Sequence, residues 1–303
     1  SGRLGIDFVQ IKIYYTPAKF QYRREIKLDY TKVGSNCSSN LTDFRALISL
    51  SGTWLRTKAN DPTNGRIENA NGYDIIFRAS DGETGLAHEV VTYDGSAGGG
   101  SILAWVKIPT LKYNENTSIY VYYGNEAISA KTEKPTDVWD SSVYSGVWHL
   151  EESGNGTADE FKDTTSNSDH GQGGAGDSGK TPTRINGKIG YGQEFDGSAD
   201  YIYIPASHPS LSSVTLATWV YVSANYDWID FMRTNWGAAD GTWNLFSCAS
   251  GQAAFGVWQS GGCGDNQCCA YTASGALTSG AWHHLVGTYD GSGTVKVYID
   301  GAV

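Results

Sequence analysis

Apolar and polar residues alternate with period two in short runs along this chain, the pattern of strands buried on one face. The segment Arg24-Glu25-Ile26-Lys27-Leu28-Asp29-Tyr30 alternates cleanly. Further strands are expected at 41–50, 73–78, 88–93, 102–108 and 118–123. The glycine-rich run from Asp94 to Gly100 reads as the loop of a hairpin. That is six strands in about 105 residues, the spacing of a sandwich. Ahead of them, residues 6–15 read as one more strand, closed by Thr16-Pro17. It is expected to be the last strand of a preceding domain or an edge strand docked on the sandwich after it.

After Asn125 the pattern stops. The polar stretch 126–140, with Lys134-Pro135-Thr136, reads as a connector. Strands resume at Val147-Trp148-His149-Leu150, 192–197, 200–204, 214–222, 282–289 and 294–300. Residues 155–182 are rich in Gly, Ser, Asp and Thr and hold no apolar period; a loop of that length is functional or mobile. The expected organisation is a strand at 1–18, a β-sandwich at 19–126, a linker at 127–142 and a second sandwich at 143–303. The fold class is all-β, two consecutive antiparallel sandwiches. Strands this close to both ends suggest a piece of something longer.

Composition agrees. The chain holds 38 Gly, 19 Tyr and 10 Trp but one Met, which suits turns and pleated surfaces rather than helical bundles. The formal charge is 22 − 32 = −10. An acidic chain repels phosphate backbones, so nucleic acid is excluded as a partner, and it lacks a basic patch for anionic membranes. No run of about 18 apolar residues is present, so membrane insertion by this segment is not expected. Nor is there a basic-then-apolar leader.

Cys248, Cys263, Cys268 and Cys269 lie within 22 positions in a glycine-rich setting. Their spacing matches no zinc pattern, so two disulfides are expected, and these need an oxidising compartment. Cys268 and Cys269 are poorly placed to bond each other; one is expected to reach Cys263 and the other Cys248. Cys37 is left over, as a buried thiol or a partner for chain outside this segment. Candidate glycosylation sites are Asn36, Asn40, Asn116 and Asn155, each opening an Asn-x-Ser/Thr triplet. Together these features favour an extracellular location.

Two blocks resemble known modules in a known order. Tyr22-Arg23-Arg24-Glu25-Ile26, Gly72-Tyr73-Asp74-Ile75-Ile76-Phe77, Leu103-Ala104-Trp105-Val106-Lys107-Ile108-Pro109 and Ile119-Tyr120-Val121-Tyr122-Tyr123-Gly124-Asn125 resemble the domain of unknown function 2341. Gly146-Val147-Trp148-His149-Leu150-Glu151-Glu152, Phe195-Asp196-Gly197, Leu216-Ala217-Thr218-Trp219-Val220, Gly280-Ala281-Trp282-His283-His284-Leu285-Val286 and Val297-Tyr298-Ile299-Asp300-Gly301 are similar to the laminin-G/concanavalin A-like jelly roll. The second resemblance implies a jelly roll that reads as incomplete at its C-terminus. The pair implies a secreted prokaryotic multidomain surface protein.

Catalysis is not expected. The jelly roll also houses glycoside hydrolases, which need facing carboxylates. The nearest pattern is Glu194-Phe195-Asp196, which lacks the third acid and runs into a turn. His283 and His284 point to opposite faces of a strand and so cannot share a site. For binding, Trp228, Trp236, Trp243 and Trp258 cluster with Tyr226 and Tyr271 in the variable part of the jelly roll, as a glycan platform or as core. Trp219 and Trp282, in regular strands, are assigned to the core. The resemblance also implies a structural Ca²⁺, with Asp159, Asp163, Asn167 and Asp169 of the long loop, or Asp196 and Asp200, as candidate oxygen donors; ordinary turn chemistry explains the same residues. Two functions are compatible with these features. One is a non-catalytic adhesion module binding glycans or other surface proteins. The other is a structural spacer or filament subunit that self-assembles through edge strands.

Overall fold

The computed structural model describes residues 19–34, 37–205, 213–224, 227–234, 242–257 and 269–303. The expected strand at 1–18 lies outside the described residues. The chain is all-β and antiparallel, and it forms two compact units. One holds the residues up to Leu150 together with Phe161–Asp169; the other holds Glu151–Glu160 together with His170–Val303. Among the described residues no helix is long and apolar enough to cross a membrane.

The first unit is a sandwich of two sheets. Its strands are β1 (Tyr22–Leu28), β2 (Leu41–Ser51), β3 (Ile76–Ala79), β4 (Gly85–Leu86), β5 (His88–Asp94), β6 (Ser101–Leu111) and β7 (Thr117–Tyr123). One sheet runs β1-β7-β3-β4 and the other β2-β6-β5. Period-two alternation builds the core: Ile102, Ala104, Val106 and Ile108 of β6 face Ile119, Val121 and Phe77 in one cluster. Each fully buried Val, Ile or Phe side chain among them stabilises the fold by about 1.5–3 kcal/mol. The β5–β6 hairpin closes as expected, with Asp94 opposite Ser101.

Residues 127–142 are not a linker. A short helix, α1 (Pro135–Val138), follows a strap that is hydrogen-bonded along the sandwich. Glu133 Oε2 accepts from the Val90 amide at 2.9 Å, and the Thr132 hydroxyl donates to the Tyr73 carbonyl at 2.8 Å. Val138 and Trp139 are buried. The first unit then takes in 143–150 and, after an excursion, 161–169. The expected strand at 147–150 is a single bridge, Trp148 opposite Asp163, and Phe161 and Thr165 of the expected loose loop are buried.

The second unit carries β8 (Gln172–Gly173), β9 (Thr183–Asn186), β10 (Tyr191–Glu194), β11 (Ile202–Tyr203), β12 (Val214–Tyr221), β13 (Asp230–Arg233), β14 (Trp243–Cys248), β15 (Gln252–Val257), β16 (Cys269–Tyr271), β17 (Trp282–Tyr289) and β18 (Val295–Ile299). Two main sheets, β12-β17-β18 and β13-β14-β15-β16, share a core that includes Leu216, Val220, Leu245, Phe255, Leu285 and Val297. Two small ladders, β9-β10 and β8-β11, also belong to it. Gly287 of β17 faces the Phe255 ring so closely that a Cβ there would collide with it.

Candidate functional site

In the β12-β17-β18 sheet the register decides which side chains look outward. Leu216 and Val220 of β12 and His283, Leu285 and Tyr289 of β17 are buried against the other sheet. Their neighbours therefore lie on the opposite face. Trp219 stands opposite His284 and Tyr221 opposite Trp282. Trp219 is 37% exposed and Tyr221 50%, while Trp282 is half-buried. The Tyr221 and Trp282 rings are 5.7 Å apart at 58°, and Trp219 and His284 are 5.1 Å apart at 44°. The Lys188 ammonium, from the β9–β10 turn, sits 5.3 Å from the centroid of Trp219. Trp219 and Trp282 are thus not core residues, as alternation alone suggests; they pave an outward aromatic face.

The tryptophans singled out in the variable region part company. Trp228 is 66% exposed and stacks on Phe246 at 5.8 Å and 16°, on the outer side of the other sheet. Trp243 packs against the core. Trp236, Trp258 and Tyr226 lie outside the described residues. Tyr271 is exposed and lies opposite Ala254. Trp228 and the Trp219–Tyr221–Trp282 group therefore occupy opposite sides of the sandwich and do not form one site.

His283 and His284 do point to opposite faces. Burial lowers the pKa of His284, and Asp300 opposes that more weakly. His283 is held inward, its Nδ1 2.8 Å from Asp300 Oδ2 and its Nε2 2.9 Å from Thr278 Oγ1. Hydrogen bonds from the His284 amide and the His283 ring hold the Asp300 carboxyl below its ordinary value. The trio ties the loop before β17 to the turn after β18.

The calcium candidates are distributed over both units. Asp163, in the first unit, has both oxygens in use. Oδ1 accepts from the Val147 and Thr165 amides, and Oδ2 from the Thr165 hydroxyl and the Asp169 amide. Burial works to raise its pKa, and these donors outweigh that and hold it low. Asn167 donates to the Ser145 carbonyl at 2.9 Å, and the Asp169 carbonyl accepts from the Trp148 indole. In the second unit Asp196 Oδ1 accepts from the Ser198, Ala199 and Asp200 amides, and Asp200 Oδ2 from the Asp196 amide. Asp159 is exposed. Asp196 and Asp200 close their own turn, whereas Asp163 closes its turn and also ties it to the segment at Val147. Among the described residues no three His, Cys, Asp or Glu side chains are grouped together.

The cysteines also differ from expectation. Cys248 is a buried free thiol beside Phe246 and Ala254. Cys248 lies opposite Gln252 and Cys269 opposite Gly256. They are offset by four residues, about 13 Å, along the strand and by two interstrand spacings, about 10 Å, across β15, and a disulfide spans at most about 7 Å between Cα atoms. A Cys248–Cys269 bridge is therefore not formed. Cys263 and Cys268 lie outside the described residues. Cys37 is half-buried and donates its thiol hydrogen to the Val33 carbonyl. Asn40, Asn116 and Asn155 are exposed, and Asn36 is outside the described residues.

The first unit holds a polar cluster that sequence reasoning missed. Glu89 of β5 is buried. Its carboxylate accepts from the Trp139 indole at 2.5 Å and the Thr164 hydroxyl at 2.8 Å, with His149 Nε2 at 2.9 Å. Next to it, His88 is 3% exposed, with Nδ1 3.4 Å from the Leu86 carbonyl and Nε2 without a partner. A pocket of about 310 Å³ opens beside it, lined also by Tyr73, Tyr93, Lys131, Thr132 and Glu133. Asp74 is fully buried and accepts from the amides of Glu68, Asn69, Gly124 and Asn125. No signal in a period-two reading distinguishes these acids from solvent-facing ones.

Comparison with known proteins agrees with this division. Residues 71–170 match the family model for the domain of unknown function 2341, a match that ends beside the last residue of the first unit. Residues 196–303 match that for the concanavalin A-like lectin/glucanases superfamily. No curated protein matches. A solved structure, residues 221–444 of an S-layer domain-containing protein from Clostridium thermocellum, is 24% identical over 51% of this chain and 67% of that one, with a TM-score of 0.33. In chain order, then, this protein carries a domain of unknown function 2341 followed by a concanavalin A-like domain of the lectin and glucanase superfamily.

Proposed function

We propose that this chain is a non-catalytic extracellular surface module that binds glycans on the outward face of the β12-β17-β18 sheet. The observation that carries this reading is the pairing of exposed Tyr221 with half-buried Trp282, beside exposed Trp219 on the same face of the sheet. Apolar aromatic area left open on a soluble domain marks a binding surface. Tyr and Trp suit sugars because their ring faces are apolar and their edges carry a polar group. The superfamily match is compatible with a lectin role. A binding rather than hydrolytic reading is supported by the acids: Asp196 is tied into its own turn and Glu194 is exposed on β10.

The test is a glycan array probed with the full chain, its Tyr221→Ala variant and its Trp228→Ala variant. The reading expects glycan signals that Tyr221→Ala abolishes and Trp228→Ala, on the other side of the sandwich, leaves intact. A blank array, or loss with Trp228→Ala alone, rejects the proposed face.

A further inference from the structure

The charge on this face is the reverse of the charge on the chain. Overall the chain carries −10. Yet the outward positions of β12, β17 and β18 hold one lysine, Lys296, and no Asp or Glu. Asp300, past the end of β18, is an anion hydrogen-bonded to the His283 ring and the His284 amide, so Lys188 and Lys296 outnumber it. Among the described residues Lys188, its ammonium over Trp219, and exposed Lys296 have no carboxylate partner. Elsewhere in the chain lysines do find acids: Lys58 with Glu68, Lys112 with Glu115, Lys131 with Glu133, Lys180 with Asp177.

We propose that the ligand of this face is an acidic saccharide, one whose rings carry a carboxylate. The proposal rests on the reading of the face as a glycan platform. Trp219 and Tyr221 lie two residues apart on one side of β12, about 7 Å along the strand. A sugar ring stacked on Tyr221 and Trp282 therefore brings a carboxylate substituent within reach of the ammonium standing on Trp219. The indole holds that ammonium in place through its negative face without neutralising it. Lys188 thus presents a positioned, uncompensated cation next to an apolar platform. A carboxylate that meets it forms a charge-assisted hydrogen bond, roughly twice as strong as a neutral one. Neutral sugars gain only the stacking.

The experiment compares oligogalacturonate with its methyl ester, two ligands with the same rings that differ in charge, by calorimetry on the full chain, alongside an array that contains neutral, uronate and sialylated glycans. The acidic oligomer, or another acidic glycan on the array, is expected to bind about tenfold tighter than its uncharged counterpart. That preference should disappear in Lys188→Gln and weaken at high salt, while Tyr221→Ala removes binding of both forms. Equal affinity for charged and uncharged forms, or binding of neutral glycans alone, with the Tyr221 dependence retained, overturns the acidic preference and leaves the glycan face standing. No binding of any glycan removes both.

Discussion

The Trp139 indole donates to Glu89 Oε2 at 2.5 Å, and that bond joins the segment after α1 to β5. His149 and Thr164 reach the same carboxylate, so three stretches of chain far apart in sequence are gathered on one buried acid. Glu89→Gln keeps the shape but removes the charge and half the acceptor capacity. A buried group left short of a partner costs about 1–3 kcal/mol. The expected result is a drop of that order in the stability of the first unit, read by urea unfolding followed through Trp fluorescence. An unchanged midpoint would sink the assignment.

The same acid sets a pH dependence. Burial works to raise the Glu89 pKa, and the His149, Thr164 and Trp139 contacts together outweigh it and hold the carboxyl below its ordinary value of 4.5. A depressed carboxyl contributes stability that is present above the unfolded value and is lost as pH falls through the folded one. The wild-type chain should lose stability progressively below about pH 4.5, and Glu89→Gln should lose less over that range. Parallel acid profiles for the two would contradict this.

His88, the neighbour of Glu89, titrates in the same direction but higher. Desolvation lowers its pKa from 6.5, ahead of the opposing Leu86 carbonyl and Glu133 charge. In the unfolded chain the imidazole takes up a proton near its ordinary value, while the buried ring resists. Stability from this residue is therefore full above about pH 6.5 and declines below it. His88 packs edge-on against Phe77, so His88→Phe retains an aromatic ring there. Thermal melts between about pH 7.5 and about pH 5 should show a falling melting temperature in the wild type and a flatter curve in the variant. Equal slopes would show that His88 does not carry the dependence.

The strands with strict alternation are legible in the sequence: β2, β6, β7, β12 and β17 fall where the period places them. Period alone does not say which face is the core when both faces carry large apolar residues. On β12 one face holds Leu216 and Val220 and the other Trp219 and Tyr221, and the bulkier pair is the outward one. The boundary between units is obscured for a related reason. Lys134-Pro135-Thr136 is polar enough for a linker, but the two residues that anchor the strap, Val138 and Trp139, are too few to show a period. Strands β13–β16 are hidden because Gly, Trp and Cys in that region suggest loops and a binding cluster, whereas Leu245, Ala253 and Phe255 fill the core. Buried acids such as Asp74 and Glu89 look like any exposed Asp or Glu until their donors are known.

Cys248 supplies a chemical check on the second unit. Its thiol is buried beside Phe246 and Ala254 and is not bridged. Native protein treated with iodoacetamide should leave Cys248 unmodified, since reaction needs an accessible thiolate. Denaturation without reductant should then expose it to alkylation, seen by peptide mass mapping. Recovery of Cys248 in a disulfide-linked peptide from unreduced protein would refute the free-thiol assignment.

Gly287 tests the packing of the two sheets behind the aromatic face. Its backbone lies against the Phe255 ring from the opposite sheet, and a Cβ would overlap that ring. Gly287→Ala therefore forces either the ring or β17 to move, and overpacking of this kind costs about 1–3 kcal/mol. Phe255→Leu alone loses packing contacts and is also destabilising. The double variant is the informative one, because the smaller side chain in Phe255→Leu vacates the space that the methyl group added by Gly287→Ala would fill. Contacting residues show coupling of about 0.5–3 kcal/mol in such a cycle. The double variant should thus be more stable than the sum of the two single losses. Strict additivity would mean that the sheets are not in contact at this point. Because Gly287 lies on β17 between His284 and the hairpin, the same shift should disturb the registration of Trp282 with Tyr221. Glycan affinity should then fall in Gly287→Ala and recover in the double variant.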